Sequence, residues 1–232
     1  MSKFYSYSEQ ARFALVACEI MKTEIEAAAR GLDRVRTHYL DQGLHRTPAL
    51  MAGRIQEIVD RLAGDVDVVV LGYGLCANGI VGVQARGCDL IVPRCHDCIG
   101  FFLGSPQAYL DDFYSRPGSY YLTPGWIAEK KDPLSIIEED YMPRYGRKKA
   151  EWAKKEELKH YTHMVLVDTG VDDLEPLRRI AMKNADYFGM DYLEIKGGSR
   201  EFFHKLVAGP YPEEEFLLVR PGEEIRQGMF FD

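Results

Sequence analysis

Cysteine is the residue type whose placement in this chain speaks most directly of chemistry. Four of the five cysteines stand at or just after the end of a segment that reads as a parallel β-strand. Cys18 ends FALVAC, Cys76 ends DVVVLGYGLC, and Cys95 and Cys98 lie at the end of DLIVPRCHDC. In an open α/β sheet the ligand crevice lies outside the carboxyl ends of the strands, so residues distant in sequence converge there. Thiolates gathered in this way suit zinc or an iron-sulfur cluster, and a site with three protein ligands leaves a position open for substrate. The two-residue gap in Cys95-His-Asp-Cys98 lets both side chains reach one ion, or makes one thiol the redox partner of the other. The competing account is that all four are small buried hydrophobes, but unrelated cysteines have no reason to choose the same sheet edge. Cys88 precedes its strand and is therefore expected on the opposite edge, in a structural role.

Around these thiols the sequence offers acids, bases and glycine turns. Glu19, His96, Asp97 and Asp168 lie at predicted strand ends and are candidates for acid, base and supporting roles. For Asp168 a capping or turn aspartate is the competing role, and His38 and His45 read as surface or loop histidines. Gly72-Tyr-Gly74-Leu-Cys-Ala-Asn78-Gly79 follows a strand and precedes a helix, so its amides form a candidate nest for an anion. The spacing is not that of a dinucleotide fingerprint, and the glycines equally serve tight turns and close helix approach. Lys196-Gly197-Gly198-Ser199 is a similar element, with a lysine beside a helix start, suited to a carboxylate or phosphate on a substrate.

The elements that must position these residues alternate strand and helix twice. Phe13 to Cys18 is a short apolar run, followed by a helical pattern that stops at Gly31. Val35 to Tyr39 is a weaker strand, and Thr47-Pro48 opens a helix with Met51, Ile55, Ile58 and Leu62 on its apolar face. Val66 to Leu71 reads as a central parallel strand, and Leu90 to Pro93 as the next. The second half repeats the theme with strands at Met164 to Val167, Tyr192 to Ile195 and Phe216 to Val219, and helices starting near Asp172 and Ser199. Between the halves five prolines punctuate aromatic and charged pieces, including Tyr120 to Trp126. The expected fold is thus α/β, with two Rossmann-like βαβ halves whose parallel sheets face a central cleft, and an irregular insertion between them. The expected boundaries are 1–105 for the half with the cysteine motifs, 106–160 for the insertion or lid, and 161–232 for a C-terminal βαβαβ half.

Composition excludes several classes. With 46% hydrophobic and 28% charged residues the chain is an ordinary globular protein, and its net charge of -7 gives no basic footprint for nucleic acid. An N-terminus reading MSKFYSYSEQ lacks the features of a secretory signal, and no apolar run approaches the roughly 20 residues of a spanning helix. A cytoplasmic protein is expected, in which five cysteines point to metal binding or catalysis rather than a disulfide framework.

Taken together, GYGLCANGIVG, IVPRCHDCIGFFLGS and YYLTPGW resemble the bacterial and archaeal family known as the domain of unknown function sixteen thirty-eight. The resemblance implies a setting near corrinoid-dependent methyltransferases in anaerobes, and marks Cys76, Cys95, His96, Asp97 and Cys98 as site residues. The expected function is therefore a metalloprotein with a thiolate site in an interdomain cleft, an enzyme of one-carbon, corrinoid-linked methyl transfer or small-molecule activation. Its ligands would be Cys18, Cys76, Cys95 and Cys98, with zinc favoured over a [4Fe-4S] cluster and a corrinoid as a further cofactor. The partners expected are a small anionic substrate and a corrinoid protein or methyltransferase, with neither nucleic acid nor membrane. The alternatives are a non-catalytic corrinoid- or metal-binding accessory protein, a [4Fe-4S] enzyme acting as a Lewis acid, and a small-molecule-binding protein whose cysteines never meet a metal.

Overall fold

A computed structural model describes residues 3–32 and 35–231. In chain order the strands are β1 (Phe4–Tyr5), β2 (Phe13–Cys18), β3 (Val35–Leu40), β4 (Val68–Gly72), β5 (Asp89–Pro93), β6 (Ser119–Leu122), β7 (His163–Asp168), β8 (Asp191–Lys196), β9 (Tyr211–Pro212) and β10 (Phe216–Val219). The α-helices are α1 (Lys22–Ala28), α2 (Pro48–Leu62), α3 (Ile99–Leu103), α4 (Pro106–Ser115), α5 (Pro124–Ala128), α6 (Pro133–Ser135), α7 (Met142–Tyr145), α8 (Arg147–Leu158), α9 (Leu174–Phe188) and α10 (Ser199–Ala208). The chain forms two compact units, one running to Gln107 and resuming at Gly198, the other Ala108–Gly197. The fold is α/β with Rossmann-like connections, as expected.

The first unit is built on a five-stranded sheet in the order β10-β5-β4-β2-β3. β2 pairs in parallel with both β3 and β4, and β4 in parallel with β5. The apolar runs explain the order. Every residue of β4 and β5 is buried, so these strands need cover on both faces, whereas β3, with VRTHYL, is only half-buried and takes an edge. On one side α10 packs against α1 and α3, through Phe101 stacked on Phe202 at 5.1 Å and Phe202 on Phe216 at 5.7 Å.

Two segments join different sheets from those expected. β10 is not the last strand of a C-terminal half; it runs antiparallel to β5 in the first sheet, Phe216 opposite Pro93. After Asp89, β5 is apolar and buried, and its outer edge needs a partner, which the returning chain supplies. Strand and helix alternation in the sequence does not say which sheet a strand enters. Ser119–Leu122, read as part of an irregular insertion, is a strand parallel to β7. Its four residues lie between Pro117 and Pro124, too short a run for periodicity to reveal.

The second unit has three parallel strands in the order β6-β7-β8. Met164, Val165, Leu166 and Val167 of the central β7 are fully buried, and Leu122, Ile127, Leu158, Ala181 and Ala185 share a core with Met164 and Leu166. α9 begins on Asp173, whose carboxylate accepts from the Glu175 amide, and ends on Gly189 at φ 68. Between α6 and α7 the chain makes a π-turn over Ile136–Tyr141, in which the Met142 amide reaches back to Ile137. Pro143 accounts for it, since proline has no amide to offer and crowds the carbonyl four residues earlier. Asn184 is buried and ties this region to α9, donating to Asp132 at 2.7 Å and accepting from the Leu134 amide at 2.9 Å. Asn184→Leu is expected to cost about 2–3 kcal/mol in a urea titration, because it leaves the Leu134 amide without its acceptor and the buried Asp132 carboxylate with only the Ser135 amide as donor.

No helix among the described residues is long and apolar enough to cross a membrane.

Candidate functional site

In the first unit the connection from β2 leads to β3 on one side, and the connection from β3 crosses back to β4 on the other. The order β4-β2-β3 makes the carboxyl end of β2 a topological switch point, where flanking loops part and leave a crevice. Cys18 is the last residue of β2, opposite Leu40 of β3 in the register, and Glu19 follows it. Gln42 and His45 come from the 3₁₀ turn after β3, Tyr73 and Cys76 from the loop after β4, and Cys95 to Cys98 from the loop after β5.

Backbone contacts hold the last two loops together. The Leu75 amide donates to the Cys95 carbonyl at 2.8 Å, and the Cys76 amide to the His96 carbonyl at 2.9 Å. Gly74 makes this approach possible, since a Cβ there would stand 2.8 Å from the Cα of Asp97. The other glycines of the loop are used in the same way. A Cβ at Gly72 would meet Ala17 Cβ at 2.7 Å, and one at Gly79 the Met51 sulfur at 2.7 Å. Cys76, Ala77 and Asn78 then adopt φ values of 48, 54 and 66°, three successive non-glycine residues in the left-handed region. Such residues cost roughly 1–2 kcal/mol each, and backbone strain of this kind concentrates at functional sites. Asp97 closes the β5 loop by accepting from the Ile99 amide at 2.8 Å.

The thiols so placed act on one another. Burial, then Asp97 and Cys18, push the Cys76 thiol well above its ordinary range, while hydrogen bonds from the backbone at Gly74 and Cys98 pull the other way. Burial, Cys76, Asp97 and Cys18 raise Cys98, and burial, Asp97, Cys76 and Glu215 raise Cys95. Cys18, Cys76 and Cys98 thus lie within electrostatic reach of one another. Cys95 stands a step aside, its sulfur facing Gly100 of α3, where a Cβ would come within 3.0 Å of it. The Tyr73 phenol is raised by burial and by Cys18, Cys76, Cys98 and Glu19. The charged groups bearing on these residues are acidic.

Several polar atoms of the crevice are buried without a protein partner: the Tyr73 hydroxyl, His45 Nε2 and Gln42 Oε1. The His45 ring is stacked with that of Tyr73, centroids 6.4 Å apart, and its Nδ1 lies 3.1 Å from the Gln42 carbonyl. Burial lowers the His45 pKa, against the Gln42 carbonyl and Asp97, which raise it. Glu19 accepts from the Gln42 amide at 2.8 Å and anchors this turn beside Cys18.

Of the residues singled out from the sequence, Cys18, Glu19, Cys76, Cys95, Asp97 and Cys98 thus come together. The expectation that at least three sulfurs stand ready around one ion is not met: among the described residues no three His, Cys, Asp or Glu side chains are disposed to hold a metal ion. Cys18 ends a strand, whereas Cys76, Cys95 and Cys98 sit in the loops that follow β4 and β5, so strand pairing does not fix the spacing of their sulfurs. The exposed His96 ring lies against Phe231, centroids 5.2 Å apart. Asn78 is exposed at the tip of its turn. Cys88 is buried ahead of β5, at the opposite edge. Asp168 ends β7 in the second unit, where its carboxylate accepts from the Gly170 amide at 2.9 Å, a turn aspartate. Lys196 pairs in register with it on β8, exposed, and the Gly197 amide donates to the Asp168 carbonyl. Gly198 and Ser199 open α10 in the first unit, where the Gly198 amide is taken by the Leu103 carbonyl at 3.3 Å and Gly198 packs on Gly104.

Sequence reasoning missed Gln42, His45 and Tyr73. Tyr73, an aromatic held between Gly72 and Gly74, carried a signal, since a loop of glycines exposes no reason for a buried ring. His45 carried none, because its role depends on β3 lying beside β2.

The raised thiols set a pH dependence for the metal-free protein. Cys88 is pushed up to about 11 by burial and Asp89, and the crevice thiols are raised too. Unfolded thiols ionise at about 8.5, so above that pH the unfolded state loses protons first. Stability against urea is then expected to be flat at neutral pH and to fall as pH rises through 9 and beyond. A rise over the same range would show thiolates already present in the folded protein.

A family model described as a protein of unknown function (DUF1638) matches residues 39–206, a span that holds every crevice residue except Cys18 and Glu19. No curated protein and no solved structure matches the chain.

Proposed function

The chain belongs to the DUF1638 family, and we propose that its cysteine crevice binds one soft metal ion through thiolates and activates a small substrate in one-carbon transfer. The observation that carries the proposal is the gathering of Cys18, Cys76 and Cys98, with Cys95 beside them, at the switch point of the sheet. Four buried thiols lie here, and burial, Asp97 and their neighbours hold Cys76, Cys95 and Cys98 in the neutral form, an arrangement poorly satisfied without a cation. A divalent ion inverts that balance, because a coordinating thiol is deprotonated outright. Sulfur donors select zinc or an iron-sulfur cluster, and zinc is the favoured ion, since with three protein sulfurs it retains a position at which a substrate thiol is held as a nucleophile.

The one-carbon part rests on the family resemblance, which implies a corrinoid-dependent methyltransferase as partner. The chain's own residues contribute the enclosure. Glu19 fixes the Gln42 turn, Asp97 fixes the start of α3, and the left-handed turn at Cys76–Asn78 presents its thiol to the crevice.

Anaerobic purification followed by elemental analysis tests the proposal. About one zinc per chain with no visible absorbance is the expected result. Iron and sulfide with broad visible absorbance would move the assignment to a [4Fe-4S] centre. A chain that holds no metal after anaerobic purification and reconstitution would end the proposal. Metal retention without turnover in the presence of a methylated corrinoid protein would make the chain an accessory protein.

A further inference from the structure

We infer that the second unit carries an interface for a second copy of this chain, in which α4 of one copy docks on the outer face of α8 of another, with Asp111 meeting Lys149 and Tyr114 meeting Trp152. The inference is independent of the metal proposed for the crevice. Three observations lead to it.

The first is the outer face of α8. Its inward stripe is Ala150, Lys154 and Leu158, so the helical period of 3.6 residues turns Lys148, Trp152 and Lys155 away from the unit. Trp152 is 67% exposed. Arg147, Lys154 and Lys159 are paired with glutamates of the same segment, and Lys155 lies 4.9 Å from the centre of the Tyr187 ring. Lys148 and Lys149 have no carboxylate partner among the described residues. A tryptophan left in the open adds little to folding, because its apolar area counts only when buried. Tryptophan and tyrosine are enriched instead among the residues that carry the energy of interfaces.

The second is α4. Its ten residues include Tyr109, Leu110, Phe113 and Tyr114, yet none of them is buried, and Tyr114 is 77% exposed. The helix holds two aspartates and neither lysine nor arginine. Asp112 is taken within the unit, accepting from the Tyr121 hydroxyl and paired with Arg116. Asp111 is exposed, on the same face as Tyr114 three residues later.

The third is the match between the two faces. Asp111 and Tyr114 are three residues apart, as are Lys149 and Trp152, so when the helices lie parallel the carboxylate reaches the ammonium while the two rings meet. Charge decides which faces can approach. Between Met142 and His160 seven Lys and Arg stand against three Glu, a net of +4, so the rest of the chain carries -11 within the total of -7. Two copies therefore repel each other except where this basic segment is presented, and α4, acidic and aromatic, is its complement.

The test is sedimentation velocity on the full chain between about 1 and 100 μM, at low and at high salt. Wild type is expected to associate reversibly, and less at high salt, since exposed charges are already screened beyond about 10 Å at 0.1 M. Trp152→Ala and Tyr114→Ala should each weaken association at least about tenfold, the scale of an interface anchor. Lys149→Asp and Asp111→Lys should each weaken it as well, and an equimolar mixture of these two variants should recover it, because each supplies the face the other has lost. All four side chains are exposed, so unfolding in urea should stay within about 0.5 kcal/mol of wild type and the losses are read on folded protein. A chain that is monomeric throughout the range would overturn the inference. So would association that the four substitutions leave unchanged, which would place the interface elsewhere, or a mixture that stays as weak as its two components, which would part Asp111 from Lys149.

Discussion

Cys98→Ser is expected to strip the protein of its metal, lowering retained metal after anaerobic gel filtration at least about a hundredfold, while Cys88→Ser leaves it unchanged. Cys98 is acted on by both Cys76 and Cys18. A serine hydroxyl in its place is a hard donor that does not ionise, so one thiolate and its charge are lost together. Outer-shell substitutions cost about 10–100-fold in metal affinity, and removal of a direct ligand exceeds that range. Cys88 supplies the control, since it is equally buried but sits before β5, acted on by Asp89 rather than by the other thiols. Cys95→Ser tests the order within the group. It should also lose metal, but its sulfur faces Gly100 and it feels only Cys76 among the thiols, so a smaller loss is expected. Equal losses in Cys88→Ser and Cys98→Ser would show that burial, not edge placement, governs these cysteines.

Gly74→Ala is expected to cost about 3 kcal/mol or more and to disable the crevice in whatever protein still folds. The added carbon would meet the Cα, carbonyl carbon and oxygen of Asp97 at 2.8 to 2.9 Å. These are backbone atoms and cannot turn aside. Relief requires parting the β4 and β5 loops, which breaks the hydrogen bonds from Leu75 to Cys95 and from Cys76 to His96. Gly53→Ala is the matched control, in the middle of α2 with nothing within 4 Å of the new carbon. It should stabilise the protein by about 0.5–1 kcal/mol, since alanine loses less freedom in a helix. The midpoints of urea unfolding for the two variants should therefore move in opposite directions. Similar midpoints would mean that the two loops are not packed as described.

The parallel strands of the first sheet were legible as short apolar or β-branched runs between turn residues, and Cys18, Cys76, Cys95 and Cys98 could be placed on one edge because parallel strands share a direction. The glycine loop was legible as a turn, but its purpose was not. Gly72, Gly74 and Gly79 each accommodate a neighbour, Ala17, Asp97 and Met51, that is between 23 and 55 residues away, and no local pattern names such partners. Asp168 was correctly open to a turn role, which its bond to Gly170 fills.

What the sequence determined by itself was local: the periods of strand and helix, a helix start near Asp172, one residue from the cap at Asp173, and the chemistry available at each strand end. Only the tertiary structure decided that β10 returns to the first sheet and that β6 joins the second, because an exposed apolar edge is satisfied by whichever strand can reach it. The same holds for the crevice. His45 and Tyr73 are separated by 28 positions and are brought together only when β3 and β4 flank β2, which leaves Nε2 and the hydroxyl buried without partners. Burial and the pairing of polar atoms are properties of the packed chain, and a sequence can supply the groups without showing which of them the fold leaves unsatisfied.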